Sequence, residues 1–127
     1  MKIVSWYDSK KIIYESEKET VRDTVMEAVR QGSHLMNANL RGADLGEADL
    51  GEAILGGADL RDANLAGANL RGANLRDANL AGTDLRDTNF ADADLFHVKF
   101  WGRGGSTKIK TAQVESFLKA LGIIAED

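Results

Sequence analysis

The chain has no cysteine among its 127 residues, which excludes disulfides, thiolate metal sites and cysteine nucleophiles and suits a reducing compartment. Histidine is nearly as scarce, with only His34 and His97 present. No apolar run approaches the ~20 residues that cross a bilayer. The opening Met1-Lys2-Ile3-Val4-Ser5-Trp6-Tyr7 carries a single basic residue and no apolar run long enough for a signal peptide. Aromatic residues amount to 6%, and no basic patch accompanies them for stacking on bases, so direct nucleic-acid binding is not expected. A soluble cytoplasmic protein of one structural domain, without membrane contact, is the expectation at 13.8 kDa.

What the chain does have is a period. From Leu35 to Phe100 every fifth residue is Leu or Phe, most often preceded by Ala and then Asn or Asp, so that A-[DN]-L-x-x runs through fourteen units. A strand has period 2 and a helix 3.6, and a strict spacing of five fits neither. If each unit is a short extended segment and a turn, four units bring the chain back to its starting side after about twenty residues, ~4.8 Å higher at the inter-strand spacing. Four interior columns follow. Leu40, Leu60, Leu80 and Phe100 form one; Leu45, Leu65 and Leu85 the next; Leu50, Leu70 and Phe90 the third; Leu35, Leu55, Leu75 and Leu95 the fourth. Each such side chain contributes roughly 1.5–3 kcal/mol when fully buried. Stacked neighbours must cover one another, so both ends need caps. The small Ala points inward, glycines such as Gly42, Gly57, Gly67, Gly72 and Gly82 take corner dihedrals, and the Asn or Asp before each centre bonds to nearby turn backbone or laterally.

Runs such as Ala63-Asn64-Leu65-Ala66-Gly67-Ala68-Asn69-Leu70-Arg71-Gly72 resemble the pentapeptide-repeat family. The resemblance covers residues 33–102 and implies a mainly β fold, a right-handed quadrilateral β-helix or solenoid of about 3.5 coils. The flanks, 1–32 and 103–127, read as its caps. Ile3–Tyr7 and Lys11–Glu15 are predicted strands of a hairpin turning at Asp8-Ser9-Lys10. Ser16 to Glu19 match a capping box, opening a helix that buries Val21, Val25, Ala28 and Val29 and stops at Gly32. After a Gly-rich linker, a second helix is predicted from Thr111 to Gly122 with Val114, Phe117, Leu118 and Leu121 on one stripe. In the last coil Val98 and Lys99 replace the inward Ala and the polar residue. Phe96 and Trp101 stand at outward positions, where they either pack under the C-terminal helix or form, with Phe117 and Leu121, a contact or homodimer seam. Ile54 occupies a place where Asn or Asp is expected and has no assigned role.

Chemistry is hard to find. The two histidines lie about three coils, roughly 15 Å, apart and cannot share a metal. Gly104-Gly105-Ser106-Thr107-Lys108 lacks the order of a phosphate-binding loop. No nucleophile stands beside a base with an orienting third group. No enzyme activity, cofactor or metal is expected. The charge of −4 is unevenly placed. Asp44, Glu47, Asp84 and Asp87 against Arg86 make the Leu45 side acidic, and Asp49, Glu52 and Asp92 against Arg71 do the same for its neighbour. Such an array can steer a basic partner. The leading expectation is a non-enzymatic scaffold or protein-interaction module with an unidentified protein partner. The resemblance implies an alternative, a DNA-mimic inhibitor of DNA gyrase, another topoisomerase or another DNA-binding enzyme, since some relatives are dimers that imitate duplex DNA and occupy the DNA-binding saddle of gyrase. Here the coils are few, arginines interrupt the acidic sides, and Asn64, Asn69 and Asn74 leave a neutral gap.

Overall fold

In the computed structural model, which describes residues 1–100 together with Glu115, Phe117, Leu118 and Leu121, the repeat winds as a β-helix. Ten parallel bridges each join residues twenty apart, from His34 with Ile54 to Asn79 with Lys99. The unit around Leu65 shows why the sequence demands this path. Asn64 N–H donates to Ala43 O in the coil below, and Leu65 and Gly67 donate to Asp84 O and Arg86 O in the coil above, each at 2.9 Å. Ala68 N–H closes the turn on Leu65 O, also at 2.9 Å. One amide is left over, that of Ala66, and it donates to the Asn64 side-chain oxygen at 2.9 Å. Asn or Asp is therefore the acceptor that completes the set of amide bonds in each unit. The same bond recurs at the amides of Arg41, Arg71, Arg76, Ala81, Ala91 and Phe96.

The corner two residues after each centre has positive φ throughout, from Asn37 at 62° to His97 at 58°, as the third position of a type II turn requires. Gly57 shows the strictest case. A Cβ there would lie 2.3 Å from Asn37 Oδ1, so the corner above Asn37 has to be bare. The interior is a single column of Leu with Ala beside it, Leu35 through Leu85 being almost fully buried. Thr83 and Thr88 take two inward Ala places, and their hydroxyls donate to Leu60 O and Leu65 O at 2.8 and 2.7 Å. Phe100 does not complete its column. It is 39% exposed, and its ring meets Phe117 edge-on at 5.8 Å.

Ahead of the repeat, β1 (Lys2–Val4) pairs antiparallel with β2 (Ile12–Glu15). The strand expected to run to Tyr7 ends early, since Ser5 bridges to Ala38 and Trp6 N–H donates to Asn37 O at 2.9 Å. β1 thus lies between β2 and the first coil. The helix α1 (Val21–Arg30) starts four residues later than the capping-box reading has it. Thr20 is the N-cap, accepting from Asp23 N–H at 3.1 Å, while the Ser16 hydroxyl bonds to Glu27 and accepts from Lys18 N–H. Val25 and Ala28 are fully buried in the same cluster as Leu35 and Leu40. Gly32 (φ 69°) ends the helix, with Gly32 and Ser33 amides returning to Val29 O and Ala28 O, the paired bonds of a Schellman turn. At the other end Glu115, Phe117 and Leu118 are helical. The linker, Trp101, Thr111, Val114 and Gly122 lie outside the described residues.

Candidate functional site

Two adjacent sides of the coil stack hold the acidic candidates. On the Leu45 side, Asp44 Oδ1 accepts from Gly46 N–H at 3.2 Å, from Asn64 Nδ2 at 3.2 Å and from Arg22 at 3.3 Å. The Gly46 amide, with Arg22 and Asn64 adding to it, holds this carboxyl below its ordinary range. Asp84 grips Arg86 through two bonds, of 2.9 and 2.6 Å. On the Leu50 side Asp49 accepts from Gly51 N–H and Asn69 Nδ2 at 3.2 and 3.0 Å, and Asp92 lies 3.8 Å from Arg71. Asp44, Asp49 and Asp84 are turn acceptors, and Asp44, Asp84 and Asp92 also lie within 4 Å of an arginine. Arg22 comes from α1, so counting charges within the repeat alone misses it.

Glu47, Glu52, Asp87 and Asp92 stand elsewhere in the unit, at the positive-φ corners two residues after the centres. Glycine separates them along each column. A Cβ on Gly72 would meet Glu52 Oε1 at 2.6 Å, and one on Gly67 would meet Glu47 Cγ at 3.1 Å. Each glutamate therefore lies over a glycine, and the next acid stands two coils away, about 9.6 Å. That spacing limits like-charge repulsion while keeping a rigid array.

Of the C-terminal candidates Phe96, Phe117 and Leu121 are among the described residues. Phe117 meets Phe90 at 5.4 Å and Phe100 at 5.8 Å, and Phe117 and Leu121 are partly buried against the core. Phe96 is 49% exposed, stacked on His97 at 3.8 Å and covered by the Arg76 guanidinium at 4.7 Å.

Sequence reasoning missed a cleft of about 210 Å³ lined by Trp6, Gly57, Ala58, Asp59, Arg61, Asp77, Asn79 and Lys99. Trp6 Nε1 donates to Gly57 O at 2.8 Å, which pins the indole across the coil above its own attachment point. Only the pairing of Ser5 with Ala38 puts Trp6 there, and no motif announces it. Asp59, at the cleft floor, is itself occupied. Burial would raise its carboxyl, but the Arg61 side chain, at 2.8 and 2.6 Å, and the Arg61 amide outweigh that and hold it low. Among the described residues no three metal-ligating side chains converge, and no helix is long and apolar enough to cross a membrane.

A family model described as pentapeptide repeats matches in eight copies across residues 33–72, 43–80 and 63–102. Among solved structures, a trypsin-treated variant of QnrB1, a plasmid-mediated fluoroquinolone resistance protein, is 23% identical with a TM-score of 0.49, covering 72% of this chain and 47% of that one. The pentapeptide repeat protein Rfr23 from the cyanobacterium Cyanothece 51142 is 34% identical with a TM-score of 0.30, over 57% of this chain and 46% of that one. A pentapeptide repeat protein from the Arabidopsis thaliana thylakoid lumen is 22% identical with a TM-score of 0.42, over 73% and 78%. This chain spans about half the length of the first two. No curated protein matches.

Proposed function

Because the chain belongs to the pentapeptide-repeat family, we propose that it is a non-enzymatic scaffold, a right-handed coil of about three and a half turns sealed at both ends, that binds a protein partner in the cytoplasm. The observation that carries this reading is the division of labour among its acids. Asp44, Asp49 and Asp84 accept turn amides, and Glu47, Glu52, Asp87 and Asp92 project from exposed corners of two adjacent sides. A rigid row of carboxylates suits a basic protein surface, whose approach it accelerates and orients. The expected C-terminal seam is a weaker site on this geometry, since Phe117 and Leu121 turn inward.

Affinity capture tests the reading, comparing the parent with a Glu47→Lys, Glu52→Lys, Asp87→Lys variant that leaves every turn acceptor in place. A basic protein held by the parent, released by salt and lost from the variant is the expected result; identical capture by both would remove the acidic corners from the function. Mimicry of duplex DNA is disfavoured by Arg22, Arg71 and Arg86, each within 4 Å of an acid on those same sides. DNA carries a charge every ~1.7 Å of axis, which this surface does not approach. Supercoiling by gyrase should accordingly be unaffected at micromolar protein, and inhibition there would reinstate the mimic.

A further inference from the structure

We infer that the cleft beside Trp6 binds a free α-amino acid with an apolar side chain, held as its zwitterion. The indole forms one wall of the cleft and is fixed at both ends. The Trp6 amide donates to Asn37 O at 2.9 Å and Nε1 donates to Gly57 O at 2.8 Å, while Tyr7 meets the ring edge-on at 5.4 Å. Trp6 nevertheless stays 52% exposed. A wall already held in place loses little freedom when an apolar group covers it. On the floor Asp59 and Arg61 satisfy each other through two bonds, of 2.8 and 2.6 Å, and as a pair they are neutral.

Two charges of the lining remain, one of each sign. Lys99 tops the bridged column of Asn39, Asp59 and Asn79, whose side chains each accept the amide two residues on. An ammonium accepts no hydrogen bond, so turn chemistry does not account for a lysine there. No ion pair among the described residues includes Lys99. Asp77, at the corner beside that column, pairs among the described residues with His97 at 3.7 Å, a charge partner only when protonated. Lys99 lies one coil up and two residues along from Asp77, about 8 Å between backbones at ~4.8 Å per coil and ~3.3 Å per residue. A ligand placed between them sets its ammonium on Asp77 and its carboxylate on Lys99, two charge-assisted contacts, and turns its side chain onto the indole. Neither an anion nor a cation alone answers both groups. The cleft volume of about 210 Å³ is below the ~300–1,000 Å³ of sites for drug-sized ligands, which suits a single amino acid. With half of the indole in water, the dissociation constant should be on the order of 1 mM.

Titrating isotopically labelled protein with L-phenylalanine to about 50 mM, and following the Trp6 indole N–H by NMR, reads the site across the expected constant. The signal should move and saturate. Phenethylamine, which lacks the carboxylate, and hydrocinnamate, which lacks the ammonium, should each bind about tenfold more weakly. Lys99→Met should weaken phenylalanine about fivefold and leave phenethylamine as it was. Asp77→Asn keeps a residue tolerant of the corner φ of 62°; it should weaken phenylalanine and phenethylamine and leave hydrocinnamate no weaker. This crossed pattern separates contact with the ligand from a general disturbance of the coil, which would move all three ligands together. An indole signal that stays still at the highest concentration, either analogue binding as tightly as phenylalanine, or variants that bind all three as the parent does would each overturn the proposal.

Discussion

The Leu45 side and the Leu35 side face opposite ways from one coil stack and follow one backbone rule, yet they treat the position before the centre differently. On the Leu45 side Asp44, Asn64 and Asp84 each accept the amide two residues on. On the Leu35 side His34 and Ile54 stand in the first two coils, and the Gly56 amide has no acceptor among the described residues. One side is optimised for turns. The other forgoes two of them and shows Met36 and Phe96 on its surface instead.

The comparison breaks most severely at the shared interior. Leu65→Asp and Leu55→Asp both place a carboxylate in a site of 0% exposure; each should destabilise by at least ~4 kcal/mol and abolish the cooperative urea transition. Survival of either protein would show that the two sides do not share one core. Gly57→Ala comes next, at about 1–3 kcal/mol, because the new Cβ meets Asn37 Oδ1 at a corner whose φ is 67°. Urea midpoints then sharpen the contrast between sides. Asn64→Ala should lose about 1 kcal/mol, whereas Ile54→Asn should gain up to about that much by supplying the missing acceptor. A loss from Ile54→Asn would mean that the half-buried isoleucine is worth more to the fold than the turn bond.

Acid titration distinguishes the sides less strongly. Asp44 and Asp59 have folded-state carboxyls held below their ordinary value, so their stabilisation is complete above the unfolded value of ~3.9 and disappears as pH falls through the lower folded values. The urea midpoint should be flat from pH 7 to about 5 and drop below about 4, and Asp59→Asn should shallow that drop. Smallest of all, Arg71→Ala on the exterior should change stability by less than about 0.5 kcal/mol.

Much of this arrangement is legible in the chain because a period of five admits so few geometries. The columns, the inward Ala and the glycine corners all follow from it, and the structure adds the reason for Asn and Asp, a single amide per unit without a backbone partner. The start of α1 is ambiguous in the sequence for a physical reason as well. Ser16 with Glu19 and Thr20 with Asp23 are rival caps of the same form, and in the fold the Ser16 hydroxyl is engaged by Glu27 and the Lys18 amide while Thr20 caps the helix. Ile54 is legible as an anomaly in the repeat, whereas its neighbourhood with Met36 and Gly56 exists only once the coils are stacked. Trp6 and Arg22 carry no signal at all, since each acts on a residue brought near only by the packing of the N-terminal segment on the first coil.

Local chemistry therefore settled the winding of this protein. Spacing, small inward residues and turn acceptors act within a few residues of one another, and their preferences are written in every unit. The distribution of function over the exterior was decided by the tertiary structure, because stacking coils twenty residues apart makes neighbours of side chains that the chain itself keeps distant. Glu52 over Gly72, Trp6 on Gly57 and Arg76 across Phe96 exist only once the coils are closed.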